Sequence, residues 1–160
     1  MSDFEPLTIP TADDVHYNFF GDLFVDGDGT VHHAMATCMR PCVDPYAGSI
    51  DYSAKPSDGG FSVPVRASDG ALDSDADSWP AVGGDGEGRI YVMWGEHHDD
   101  GTSICKLSIL EGDDWSRYTI DDEAGLDGAT KPSIATAGGT AYAVWRHSDG
   151  ALWLAELGPH

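Results

Sequence analysis

The sequence predicts an all-β fold of propeller-like type, with three four-stranded sheets following one another along the chain as blades. Three observations predict it. A strand, a Gly-rich turn and a second strand recur three times in the 160 residues. Two further strand-like segments follow the first two of these units at matching distances. No apolar pattern with a sustained 3.6-residue period is present, and 20 Gly and 9 Pro punctuate the chain too often for long helices.

The recurring units are "DLFVDGDGTVHHAMA" from Asp22, "PAVGGDGEGRIYVMW" from Pro80 and "PSIATAGGTAYAVW" from Pro132. Each reads as a short apolar strand, a tight turn and a strand alternating between two faces. The turn glycines Gly29, Gly88 and Gly139 are 59 and 51 residues apart, close to the ~40 to 50 residue period of propeller blades. Third strands are expected at 49–54, 103–110 and 151–157. Fourth strands are expected at 61–67 and 115–121, with Tyr52 to Val65 and Leu107 to Ile120 both separated by 13 residues.

The third unit has no fourth strand after it. Its counterpart stands at the other end of the chain, where "EPLTIPTADD" (5–14) reads like "SRYTIDDEAG" (116–125). The expected organisation is therefore one domain over 1–160, with blade units at about 15–67, 78–121 and 130–157 and an N-terminal strand at 4–9, circularly permuted by one strand. A β-sandwich with coincidental spacing is the alternative. Propellers close with about four to eight blades, and six is the only multiple of three in that range. The expectation is a homodimer closing one six-bladed ring, with the strand Phe4–Ile9 of one chain completing the last blade of the other. The alternative is a return of the N-terminal strand to its own chain's last blade in an open three-sheet stack, which would leave large apolar faces exposed.

Acidic residues number 28 against 8 basic ones, for a net charge of -20, and 22 of the acids are Asp. Nucleic acid is excluded as a partner because its binding needs clustered Lys and Arg, and an anionic membrane surface is excluded for the same reason. No run approaches the ~18 apolar residues of a membrane span, so no membrane insertion is expected. Residues 1–40 lack the basic start and apolar run of a signal peptide, which points to a cytoplasmic or virion-associated protein. The acids are spread between apolar segments and do not form a tail. The composition resembles that of haloarchaeal proteins, in which molar salt screens self-repulsion to about 3 Å. Cys38, Cys42 and Cys105 do not form a disulfide framework; "CMRPC" permits a bridge, and free or buried thiols fit equally.

The segment "YSAKPSDGGFSVPVRAS" (52–68) resembles the third strand, Asp-box turn and fourth strand of the Asp-box (BNR-repeat) sialidase-like propellers, with Asp58, Gly59 and Gly60 in the turn and Pro56 where Ser or Thr is expected. "EGDDWS" (111–116) and "HSDGALW" (147–153) are more degenerate echoes. The resemblance implies a propeller, with the turn structural and remote from any active face.

In a four-stranded blade, the loops joining strands two to three and four to one share one end. That end gathers the candidate ligand-binding residues His16, Tyr17, Asn18, Trp79, Glu96, His97, Lys131, Arg146 and His147, together with Arg40, Asp75 and Asp77. Tyr17 and Trp79 sit at loop-to-strand junctions suited to stacking on a sugar, although Trp79 packed beside Pro80 is the simpler reading. Trp94, Trp145 and Trp153 lie inside strands and read as core. His97, His98, Asp99 and Asp100 are the metal candidates. A solvated acidic loop explains them without an ion, Ca²⁺ is the alternative, and no zinc spacing is present. No cofactor is expected.

A catalytic reading, as a sialidase-like glycoside hydrolase or lyase, would cast Arg40 and Arg146 as a carboxylate clamp with Tyr17 and Glu96 beside them. The chain has only five arginines. The expected function is a non-catalytic binding module recognising glycan or a protein surface in a halophilic setting; a structural or host-attachment component of a haloarchaeal virus is the other non-enzymatic reading.

Charge density generates one prediction. The thermal unfolding midpoint should rise by roughly 10 °C or more between about 0.1 M and 2 M KCl. An unchanged midpoint by circular dichroism would remove the halophilic reading.

Overall fold

The computed structural model describes residues 16–39, 48–69, 76–98, 101–122 and 131–158. Within them the chain is all-β. The first sheet contains β1 (His16–Val25), β2 (Val31–Met39), β3 (Ser49–Lys55) and β4 (Val65–Arg66). The second contains β5 (Ala76–Gly84), β6 (Ile90–His97), β7 (Ser103–Glu111) and β8 (Asp114–Asp121). The third contains β9 (Ser133–Ala137), β10 (Thr140–Arg146) and β11 (Leu152–Leu157). Neighbours along the chain pair antiparallel in every sheet. Among the described residues no helix is long and apolar enough to cross a membrane.

The expected units are present, with two differences. The fourth strand of the first sheet, expected over 61–67, shrinks to Val65–Arg66. Pro64 has no N–H to give a ladder, and Ser62 bonds Ala54 instead, donating its N–H to the Ala54 carbonyl at 2.7 Å and accepting from the Ala54 N–H through Oγ at 3.1 Å. The third sheet has three strands among the described residues. The strand assigned to 4–9 lies outside them.

The tight turns are built on aspartate. Asp26 Oδ1 accepts the N–H groups of Asp28 and Thr30, both at 2.9 Å, and Asp85 Oδ1 accepts those of Glu87 and Arg89 at 2.8 and 3.1 Å. Gly29 and Gly88 follow at the same offset with φ of 80° and 86°, a left-handed backbone that glycine adopts without cost. The second oxygen of each aspartate reaches into the sheet, Asp26 Oδ2 to His32 at 3.1 Å and Asp85 Oδ2 to Arg89 and Tyr91, each at 2.7 Å. Burial works against ionisation of both acids, yet these hydrogen bonds outweigh it and hold both below the usual carboxylate range. Part of the acidic excess is thus structural.

Two cores join the three sheets. Ala34, Ala36, Ile50, Tyr52, Val82, Val92 and Trp94 fill the first junction. Tyr91, Met93, Leu107, Ala141, Ala143 and Trp145 fill the second. The second sheet is buried on both faces, so β6 is apolar at consecutive positions while β10 alternates. Trp94 is wholly buried; sequestering an indole of ~200 Å² contributes on the order of 5 kcal/mol. Cys105 is a buried free thiol, pushed up to about 12 by burial and by the nearby Asp121 charge. Cys38 is disulfide-bonded, and Cys42 lies outside the described residues.

The inner strands β1, β5 and β9 meet at the Gly83–Gly84 pair. A Cβ on Gly83 would overlap Ile134 Cγ2 of β9, and one on Gly84 would stand 2.6 Å from Phe24 Cε1 of β1. Polar contacts reinforce the approach. Asp22 Oδ2 accepts the Val82 N–H at 3.0 Å, and Thr136 Oγ1 donates to the Gly84 carbonyl at 2.6 Å and accepts its N–H at 3.4 Å. Backbone groups on the inner edge of β5 are thereby satisfied by side chains of the flanking sheets. Gly83→Ala should cost about 1–3 kcal/mol in urea unfolding through overpacking, whereas Gly88→Ala should cost through its positive φ alone and leave sheet packing unchanged. Neutrality of Gly83→Ala would contradict the close approach.

Candidate functional site

The strand ends that carry the loops expected to share one end lie together, because β2 ends where β4 ends, β6 ends where β8 ends, and His147, just past β10, meets Asp121 at the end of β8. The Gly-rich turns lie at the opposite end, where the Gly86 N–H donates to the Gly139 carbonyl at 2.7 Å.

At the loop end the inner strands carry a shared irregularity. Among the described residues, the non-glycine ones with positive φ are Phe20 (46°), Trp79 (54°) and Lys131 (24°). They stand 9, 9 and 8 residues before the turn glycines Gly29, Gly88 and Gly139, so each repeated unit contributes one at a similar position, Phe20 and Trp79 inside β1 and β5 and Lys131 two residues before β9. Phe20 and Trp79 mark shifts of register, between Phe19 and Gly21 in β1 and between Ser78 and Ala81 in β5. Bulges of this kind re-aim a side chain, and the backbone cost of order 1–3 kcal/mol per residue persists only where the surroundings enforce it.

The three re-aimed side chains meet. The rings of Phe20 and Trp79 stack with centroids 4.0 Å apart at 27°, and Lys131 Nζ lies 4.6 Å from the Trp79 centroid. Phe20 remains 41% exposed. Trp79, expected at a loop-to-strand junction, lies within β5. It sits at a bulge, in contact with Phe20 of the first sheet and with Lys131, which precedes β9. Phe20 was not among the residues singled out from the sequence. Its one signal was the matching offset from Gly29, which carries no chemistry until the third dimension is known.

A second cluster lies at the loop end of the junction between the second and third sheets. Asp121 Oδ2 accepts from Trp145 Nε1 and faces His147 Nδ1, both at 2.8 Å. The His147 ring stacks on Trp153 at 4.2 Å and 24°. Trp153, expected in the core, is 44% exposed: among the described residues β11 is the edge strand of its sheet, and His147 and Trp145 lie against the indole.

His16, Tyr17 and Asn18 pair with Met39, Cys38 and Thr37 as backbone of β1, and Asp77 pairs with Glu96. Glu96 is buried with Lys106 Nζ at 3.6 Å and His98 Nε2 at 3.4 Å. His97 Nδ1 meets Ser103 Oγ at 2.6 Å, and burial, with the neighbouring His98, lowers its pKa. Arg146 is exposed on the face of β10 opposite Trp145. Arg40, Asp75, Asp99 and Asp100 lie outside the described residues. Among the described residues no three His, Cys, Asp or Glu side chains converge as a metal site.

No known family profile matches the chain, and none of the curated proteins is similar to it. Solved structures are similar in fold. A protein of unknown function from Dyadobacter fermentans aligns over 90% of this chain and 38% of its own, at 10% identity and a TM-score of 0.58. An endo-arabinase from Bacteroides thetaiotaomicron aligns over 89% of this chain and 57% of its own, at 11% identity and a TM-score of 0.57. The fold is propeller-like. A fucose lectin from Kordia zhangzhouensis, seen in complex with methyl-fucoside, aligns over 88% of this chain and 93% of its own at 16% identity and a TM-score of 0.44. The chain spans well under two thirds of the length of the first two proteins, and identities this low bear on fold alone.

The Asp121 cluster generates a prediction. Asp121→Ala strips an acceptor from buried Trp145 and should cost about 1–3 kcal/mol, with a red shift of indole emission as the His147–Trp153 stack loosens. Unchanged stability and emission would show that the carboxylate does not hold the cluster.

Proposed function

We propose that this chain is a non-catalytic binding module that recognises a neutral glycan at the Phe20–Trp79–Lys131 stack. The observation that supports this reading is that three strained positions, one from each repeated unit, bring their side chains into a single group. Exposed aromatic carbon beside a cation offers a sugar ring both a stacking surface and a hydrogen-bond donor. The net charge of -20 disfavours anionic sugars, whose approach the surrounding field opposes.

Hydrolase or lyase activity draws less support. Glu96 and Asp121, two buried carboxylates near the loop end, each already serve internal partners: Lys106 and His98 for the first, Trp145 and His147 for the second. The Asp-box resemblance of 52–68 bears on the blade turn at the opposite end and adds no chemistry.

A glycan array in about 2 M KCl, followed by fluorescence titration of the best neutral sugar, tests the reading. Binding should fall about tenfold or more for Trp79→Leu, equivalent to roughly 1.4 kcal/mol, and remain for Trp153→Ser. Absence of any bound glycan, or retention of affinity by Trp79→Leu, would overturn the proposal.

A further inference from the structure

The two junctions between sheets differ at their outer ends. In the first, Trp115 of β8 crosses to Tyr52 of β3, edge to face with centroids 5.5 Å apart. The end of β4 is tied down as well: the Ala67 carbonyl accepts from Ser108 Oγ at 2.7 Å and Arg117 Nε at 3.0 Å. The second junction opens into a cleft of about 470 Å³ whose lining includes Tyr91, Leu107, Ile109, Tyr118, Ile120 and Leu157. Leu107 is the counterpart of Tyr52 in the repeat, so the cleft lies where the next sheet would present a counterpart of Trp115. Along its border runs β11, the edge of its sheet, with Leu152 and Leu154 more than 70% exposed.

We propose that the cleft and the β11 edge receive residues 4–9 of a second copy of this chain, so that two copies close one six-sheet ring. The segment's likeness to 116–125 sets Phe4 on Trp115, Leu7 on Tyr118 and Ile9 on Ile120. Phe4 then enters the cleft over Leu107 as Trp115 covers Tyr52. The register Leu107↔Tyr118 of the complete sheet puts Leu7 opposite Leu154.

Topology selects a second copy over the same chain. Ile120 precedes Gly139 by 19 residues and Ile9 precedes Gly29 by 20. The first interval carries the chain from an outer strand to the inner strand of the adjoining sheet. By the same span, 4–9 belongs to a sheet adjoining the first one, on the face away from the second sheet. The chain's own third sheet lies on the far side of the second. The outer face of the first sheet is also apolar and exposed at Leu23 and Val25, a match for the Leu152 and Leu154 face.

Sedimentation and light scattering of the full chain in about 2 M KCl should give twice 17.0 kDa, with Phe4→Asp shifting the mass to one copy. Independently, the pair Leu7→Cys and Leu154→Cys should form a disulfide between two chains, seen as a doubled band on a non-reducing gel. A monomeric mass with the β-sheet spectrum intact, a disulfide closing within one chain, or no disulfide in a dimer would each overturn the proposal. Failure of glycan binding would leave it untouched.

Discussion

The arrangement depends on how closely three inner strands approach one another at Gly83 and Gly84. Without side chains there, Phe24 and Ile134 seat against the backbone of β5 from opposite sides. Asp22 and Thr136 then satisfy the strand's inward-facing amides. Any larger residue would push the flanking sheets outward and leave those amides buried without partners, at about 1–3 kcal/mol each. The same approach, one end further along the strands, brings Phe20 and Lys131 within reach of Trp79. Packing at one end of β5 and the candidate site at the other are consequences of one constraint.

Charge is used in two ways. Asp26 and Asp85 hold turns and reach back into their sheets, and Asp121 bridges two blades. These acids are stabilised by specific donors and contribute order. The remaining acids add to a repulsive field with few cations to offset it, and those cations are largely engaged: Arg89 by Asp85 and Glu87, Lys106 by Glu96, Arg117 by backbone carbonyls. Lys131 stands apart in facing an aromatic ring.

Much of the fold was legible because a blade is a local object. Each strand pairs with its neighbour in sequence, so the turn glycines and the alternation of β10 mark its sheet directly. The fourth strand expected over 61–67 is cut to Val65–Arg66, because Pro64 has no N–H for the ladder. Site residues were harder. Glu96, His97 and Arg146 were grouped because their loops share an end, but side chains on adjoining strand positions diverge to opposite faces. The stack was half visible, through Trp79 and Lys131, and Phe20 was hidden because a bulge reverses the direction that strand periodicity assigns.

From its sequence alone this protein is an all-β chain of three repeated units, with a strongly acidic composition that disfavours nucleic acid as a partner. Those properties follow from short-range patterns and from composition, which need no knowledge of distant contacts. Only the tertiary structure decided which aromatic residues are core and which are exposed, that Trp153 lies on an edge strand, and that three strained positions 52 to 59 residues apart in the chain form one group. Those outcomes depend on which sheet faces lie against each other and on backbone bulges, and neither is written in the spacing of residues along a single strand.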